Sequence, residues 1–191
     1  MKLIKTLISL LFITLLSSPS WSEGLSMDDL VENPSDGLVY KKFMTIPFSG
    51  SVLPTSEDPS SGSYKDGRRH GLWETFHQNG LLLSKGNWKD GKRDGLWEFY
   101  DENGQLGEKE TYKDGELNGL WETYWDNGLL LSKGNFKDGE QEGLWEFFHY
   151  NGQLARKGNL KDGEREGIWE FYHEYGPLLW KKNYKDGELV E

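Results

Sequence analysis

From Tyr64 onward, apolar and polar positions follow two periods. Within a stretch such as Gly95-Leu96-Trp97-Glu98-Phe99-Tyr100, residue character alternates with a period of two. That is the pattern of a β-strand with one face turned inward. Over a longer distance the whole motif returns every 24 residues: Gly-Leu-Trp-Glu at Gly71, Gly95, Gly119 and Gly143, and Gly-Ile-Trp-Glu at Gly167. Lys-Asp-Gly recurs on the same step, from Lys65-Asp66-Gly67 to Lys185-Asp186-Gly187. A second strand-length run, such as Leu154 to Leu160, separates the two motifs and is reached through Asn-Gly at Asn79, Asn103, Asn127 and Asn151. Asn-Gly and Asp-Gly both suit tight hairpin turns, because these residues tolerate positive φ. Two strands and two turns consume the unit and leave no room for a helix. The predicted fold class is all-β: an elongated antiparallel β-hairpin repeat array, a single-layer meander, over residues 64–191.

A longer period overlies the first. The unit from Gly71 matches that from Gly119 at about 17 of 24 positions, and matches its neighbour from Gly95 at only about 11. This suggests growth by duplication of pairs, or two alternating faces. Residues 23–63 read as a polar leader. Within it a helical turn is expected near the start and a short hairpin over Gly37 to Val52, with Ile46-Pro47 near its tip. Leu53 to Ser63 has linker composition and no periodicity.

Residues 1–22 stand apart. Lys2 and Lys5 form a basic start, Leu7 to Leu16 is apolar, and Ser20-Trp21-Ser22 places small residues before a cut. This is the three-part pattern of a secretory signal peptide, so the mature chain is expected in the periplasm or outside the cell. The chain has no Cys, which excludes disulfides and a lipid anchor on cysteine. Its net charge of −10 argues against nucleic acid and anionic lipid as main partners, and losing Lys2 and Lys5 makes the balance more acidic. Nine Trp, nine Tyr and nine Phe exclude a disordered acidic tail.

Gly86-Asn87-Trp88-Lys89-Asp90-Gly91-Lys92-Arg93-Asp94-Gly95-Leu96-Trp97 is similar to the MORN repeat, whose pattern is G-x-W-x-x-G-x-x-x-G-x-G. Gly134 to Trp145 and Gly158 to Trp169 repeat the match, with Phe136 and Leu160 replacing the first Trp. Trp97, Trp121, Trp145 and Trp169 stand where the usual repeat ends in Gly, which resembles the bacterial MORN variant. Asp36 to Phe43 also resembles the hairpin that precedes such arrays. Bacterial proteins of this kind are grouped with a YwqK-type antitoxin family. The resemblance implies the fold. For function it implies scaffolding, a lipid-proximal role or the neutralising of a toxin.

Four features are candidates for chemistry. Trp73, Trp97, Trp121, Trp145 and Trp169 share one face at roughly 9.6 Å spacing. They form either a stacking platform for a glycan or extended peptide, or the packed hydrophobic side of a thin sheet, and the second is favoured. Glu74, Glu98, Glu122, Glu146 and Glu170 form a carboxylate column on the other face. The same spacing is too wide for one ion or an acid–base pair, so a solvated column is expected. Residues after each Lys-Asp-Gly grade from Arg68-Arg69-His70 to Glu164-Arg165-Glu166. Arg68 and Arg69 could seat that end on an anionic surface, although ordinary turn polarity explains them as well. His70, His77, His149 and His173 lack metal-ligand spacing, and no nucleophile or phosphate-loop motif is present. The expectation is a non-enzymatic protein with no cofactor and no metal, acting through a protein partner along an extended surface. A glycan or lipid surface is the alternative, and free terminal strand edges make a homodimer the self-partnering form.

Overall fold

The computed structural model describes residues 25–190, so the predicted signal peptide lies outside the described residues. The strands in order are β1 (Leu25–Ser26), β2 (Leu30–Asn33), β3 (Leu38–Lys41), β4 (Gly50–Leu53), β5 (Ser60–Lys65), β6 (Arg68–Phe76), β7 (Leu82–Lys89) and β8 (Lys92–Tyr100). They continue as β9 (Leu106–Lys113), β10 (Glu116–Tyr124), β11 (Leu130–Lys137), β12 (Glu140–Phe148), β13 (Leu154–Lys161), β14 (Glu164–Tyr172), β15 (Leu178–Lys185) and β16 (Glu188–Val190). β1 and β4 to β16 make one fourteen-stranded sheet, in which the strands from β4 onward follow chain order. Each of those is antiparallel to the next, while β1 runs parallel to β4 with Leu25 opposite Val52. The single-sheet meander expected from the 24-residue period is therefore the architecture observed.

The two ends of each hairpin are built differently. At Lys-Asp-Gly the Asp takes φ of 49–53° and the Gly 76–92°. Both central residues are thus left-handed, as a two-residue type I′ turn requires. At Asn-Gly the expected tight turn is replaced by a five-residue loop, His77 to Leu81 between β6 and β7. Gly80 has φ of 84°, whereas Asn79 is not left-handed. The Asn side chain is used instead as a brace. Asn79 Oδ1 accepts the Leu81 N–H at 3.0 Å, and its Nδ2 donates to the carbonyl of Glu102 in the next loop at 2.7 Å. A second irregularity opens every Trp-bearing strand. Asn87 pairs with Asp94 and Gly86 with Trp97, which leaves Gly95 and Leu96 as extra residues of a bulge. Gly95 sits at φ 73°, a conformation open to Gly at no steric cost.

The N-terminal segment departs from its expected organisation. The hairpin is not Gly37 to Val52 but β2 with β3, turned at residues 34–37, and the helical turn is the 3₁₀ turn Met27–Asp29. Asn33 and Asp36 favour that earlier turn: Asn33 Oδ1 accepts from Ser35 N–H, and Asp36 Oδ1 accepts from Leu38 N–H at 2.9 Å. β4 pairs with β5, so the supposed linker to Ser63 already contains a sheet strand from Ser60. Ser61-Gly62-Ser63-Tyr64-Lys65-Asp66-Gly67 is a degenerate copy of Lys85 to Gly91, close enough to fold as the same half-hairpin.

The core follows from one close approach. Trp73, Trp97, Trp145 and Trp169 are only 0–4% exposed. Each indole lies over a Gly of the preceding strand: Gly62, Gly86, Gly134 and Gly158 in turn. Around these rings the core gathers in two clusters. One holds Val52, Tyr64 and Trp73, with Met27, Leu30, Val39, Phe48 and Trp88 against it. The other holds Trp145, Leu160, Trp169 and Tyr184, with Trp121, Phe136, Phe147 and Phe171.

Candidate functional site

The Trp-bearing face is closed. Trp73, Trp97 and Trp169 donate their indole N–H to the carbonyls of Ser63, Asn87 and Asn159 at 3.0–3.1 Å. Guanidinium groups lie over the rings: Arg69 over Trp73 at 4.4 Å, Arg93 over Trp97 at 4.5 Å and Arg165 over Trp169 at 4.8 Å. Such cation–π stacking covers the ring faces that a glycan would need. With Trp145, which is fully buried, four of the five expected platform residues are committed to the core, and Arg69 with them, while Arg68 is exposed beside its Lys-Asp-Gly turn.

Trp121 is the exception, and β9 explains it. Glu110 stands where Gly62, Gly86, Gly134 and Gly158 stand in the other units, so Trp121 has no bare backbone to lie on and is half-buried. Glu110 accepts the Tyr112 hydroxyl at 2.6 Å and has the Arg93 guanidinium 3.6 Å away. Burial, then the bond to Glu110, pushes the Tyr112 phenol up to about 12. Burial and the neighbouring Glu110 charge also raise Glu108 above the ordinary glutamate value. A seam therefore crosses the Trp face between the two core clusters. Glu110→Gly should let Trp121 settle as Trp97 does, bonding the carbonyl of Thr111. Slowed hydrogen exchange of the Trp121 indole N–H, read by NMR, would report it; an unchanged rate would refute it.

The opposite face carries what the Trp face lacks. Leu72, Leu96, Leu120, Leu144 and Ile168 form a column of apolar side chains 46–60% exposed, each placed outward at its bulge. Beside it runs the Glu column, which is not merely solvated. Cross-strand pairing sets Glu74 opposite Lys85, Lys85 opposite Glu98, Glu98 opposite Lys109, and so on to Lys181. The ammonium of Lys85 is 2.8 Å from Glu98, that of Lys133 2.8 Å from Glu146, and that of Lys181 2.6 Å from Glu170. Tyr100, Tyr124 and Tyr172 donate their hydroxyls to Glu98, Glu122 and Glu170. The sequence alone showed the acidic half of this ladder; the basic half sits on the intervening strand, one register pair away.

The ladder makes a pH-dependent contribution. The Lys181 ammonium, then the Tyr172 hydroxyl and Lys157, hold the Glu170 carboxyl down at about 2, against an ordinary 4.5. Because the folded-state value is depressed, the stabilisation is complete above 4.5 and is lost as pH falls toward 2. Lys181→Met should lower the thermal midpoint at neutral pH, and the two melting curves should converge at the acid end of that window. A gap unchanged across the window would refute the assignment.

The loop edge is tied by side chains reaching one unit forward. His77 and His149 donate Nε2–H to the carbonyls of Tyr100 and Tyr172 at 2.9 and 3.1 Å, so both imidazoles are occupied structurally. A groove of about 650 Å³ lies beside the first loop, lined by Pro54, Thr55, Pro59, Phe76 and His77. Among the described residues no group of His, Cys, Asp and Glu is arranged to hold a metal ion. Alternation already sets Leu72 and its equivalents beside the Glu column, on the face opposite Trp; what the sequence does not show is how far these side chains stand exposed. Trp180 was missed: it is half-exposed at a position where other units carry Ser84, Glu108, Ser132 or Arg156.

None of the curated proteins matches the chain. Among solved structures, a chain from the crystal structure of a GtfA/B complex bound to UDP and GlcNAc aligns at 13% identity with a TM-score of 0.29. The alignment covers 73% of this chain and only 27% of that one. Four segments, residues 69–90, 93–114, 117–138 and 141–162, match the MORN repeat variant family. Each is one strand, the five-residue loop and the returning strand. Residues 69–162 are accordingly identified as four tandem units of the MORN repeat variant, a repeat that typically binds rather than catalyses.

Proposed function

We propose that this chain is an exported, non-enzymatic repeat protein that binds another protein of the cell envelope along the outer face of its sheet. The observation that carries the reading is the column Leu72, Leu96, Leu120, Leu144 and Ile168, half-exposed and flanked by the Lys–Glu ladder. Apolar anchors rimmed by charge are the make-up of a protein-binding surface. Five anchors at a fixed repeat favour an extended macromolecule over a small ligand, because contacts on one rigid face act as linked sites. Export rests on the basic, apolar and small-residue pattern of residues 1–22. The neutralising of a toxin is a narrower form of the same reading, with one cognate protein as the occupant. A glycan or lipid surface is less well supported, since the Trp rings and Arg69 are engaged with one another.

The test is affinity capture from solubilised cell envelope with tagged Glu23 to Glu191, alongside the variant Leu96→Glu, Leu120→Glu and Leu144→Glu. One stoichiometric protein, captured by the parent chain and lost at least about ten-fold by a folded triple variant, is the expected result, given the weight of central anchors. Equal capture by both would remove the outer face as the binding surface.

A further inference from the structure

Five Asn-Gly pairs fall within the array, at Asn79, Asn103, Asn118, Asn127 and Asn151. Asn before Gly is prone to cyclise, because Gly has no Cβ to shield its backbone nitrogen from the Asn side-chain carbon. The reaction needs the Asn side chain free to swing toward that nitrogen. The fold grants this freedom unequally. Asn79, Asn127 and Asn151 are held at both ends of the amide. Their Nδ2 groups donate to the carbonyls of Glu102, Tyr150 and Glu174 at 2.6–2.8 Å. Their Oδ1 atoms each accept the backbone N–H two residues on at 3.0 Å. Asn118 lies within β10, with Nδ2 donating to Asp138 at 3.1 Å.

Asn103 differs because Asp101 stands where His77 and His149 stand in the corresponding loops. Asp101 Oδ1 takes the N–H of Asn103 and that of Gln105, both at 2.9 Å. The donor that would lock Asn103 Oδ1 is therefore already used. Asn103 Nδ2 reaches only Asp101 Oδ2, at 3.4 Å, and the tie to the next loop passes to Gln105, whose Nε2 donates to the Trp125 carbonyl at 3.0 Å. Asn103 is exposed in this loop.

We propose that Asn103 is a modification site at which the fold directs spontaneous deamidation. The backbone nitrogen of Gly104 attacks Cγ of Asn103, the N–Cγ bond forms, the Cγ–Nδ2 bond breaks, and the amide nitrogen leaves as ammonia. Water then opens the succinimide at either carbonyl, giving aspartate or isoaspartate, with no change of oxidation state. The product puts a new carboxylate beside Asp101 and Glu102 and, as isoaspartate, adds a methylene to the loop backbone. The charge change falls on the loop joining β8 to β9, the strand that carries Glu110.

The test follows the full chain at mildly alkaline pH by peptide mass mapping, natively and in urea. Natively, the peptide bearing Asn103 should gain one mass unit several-fold faster than those bearing the other four Asn, and in urea the rates should converge. Asp101→His should return Asn103 to the slow rate of Asn79; a variant that fails to fold would show itself by fast deamidation at Asn79, Asn127 and Asn151 too. The wild-type comparison decides alone if need be: an Asn103 no faster than its counterparts in the native chain overturns the proposal.

Discussion

Replacing Gly134 with Ala should cost about 3 kcal/mol or more of folding stability, an unusual penalty for one methyl group on a strand. A Cβ at Gly134 would lie 2.2 Å from Cδ2 and Cε2 of Trp145. Neither side has room to yield. The Gly is in β11, a strand flanked by β10 and β12 and paired through Gly134 with Trp121, and Trp145 is 0% exposed at the centre of the larger core cluster. The ring must leave its seat, which forfeits much of the ~3–5 kcal/mol that a buried Trp contributes. Gly107→Ala is the internal control, because its added Cβ would meet nothing closer than the Phe99 carbonyl oxygen at 3.7 Å. That change should stay within about 0.5 kcal/mol. Urea denaturation of the two variants distinguishes a Gly required by contact from one that is only tolerated. A cost at Gly134 as small as that at Gly107 would end the argument for ring-on-glycine packing.

Trp145→Ala should be comparably damaging, about 4 kcal/mol, but unevenly distributed. In a repeat sheet each unit packs only on its neighbours, so damage spreads through adjacent contacts. Trp145 touches Trp121, Phe136 and Phe147, and Phe147 passes the contact on to Trp169. Tyr64 and Trp73 belong to the other cluster, beyond the seam at Glu110. Native-state hydrogen exchange should therefore lose protection over β10 to β15 while β4 to β7 keep theirs. Trp180→Ala, which removes a half-exposed ring stacked on Phe171, should leave both regions protected. Uniform loss along the sheet in Trp145→Ala would show a single cooperative unit instead.

The fold was legible because its period is written in residues with few structural alternatives. Asp-Gly every 24 residues sets the type I′ turns, and alternation around Trp sets the inward face. Asn-Gly misled because the same dipeptide serves two geometries, and only the reach of the Asn side chain to the next loop separates them. The sheet strand from Ser60 was obscured because Ser61-Gly62-Ser63 keeps the Gly that receives Trp73 but not the flanking Lys and Asn. Of the candidate site, composition gave the Trp and Glu columns. It favoured the Trp column as the packed one, but not the means of covering it, because Arg69, Arg93 and Arg165 reach the rings from the turn edge only in three dimensions.

The pairing of each ring with a glycine one strand earlier means that the unit of inheritance is not the unit of packing. A 24-residue copy sends its indole backward into its predecessor and offers a vacant seat forward to its successor, like an interlocking tile. Whole copies can then be gained or lost without redesign wherever the join presents a glycine socket. The two filled sockets, Glu110 and Lys182, are the places where this rule of addition stops. Excising Gly95 to Asn118 in one piece would seat Trp121 on Gly86 and erase the internal one, leaving a shorter chain with a continuous core.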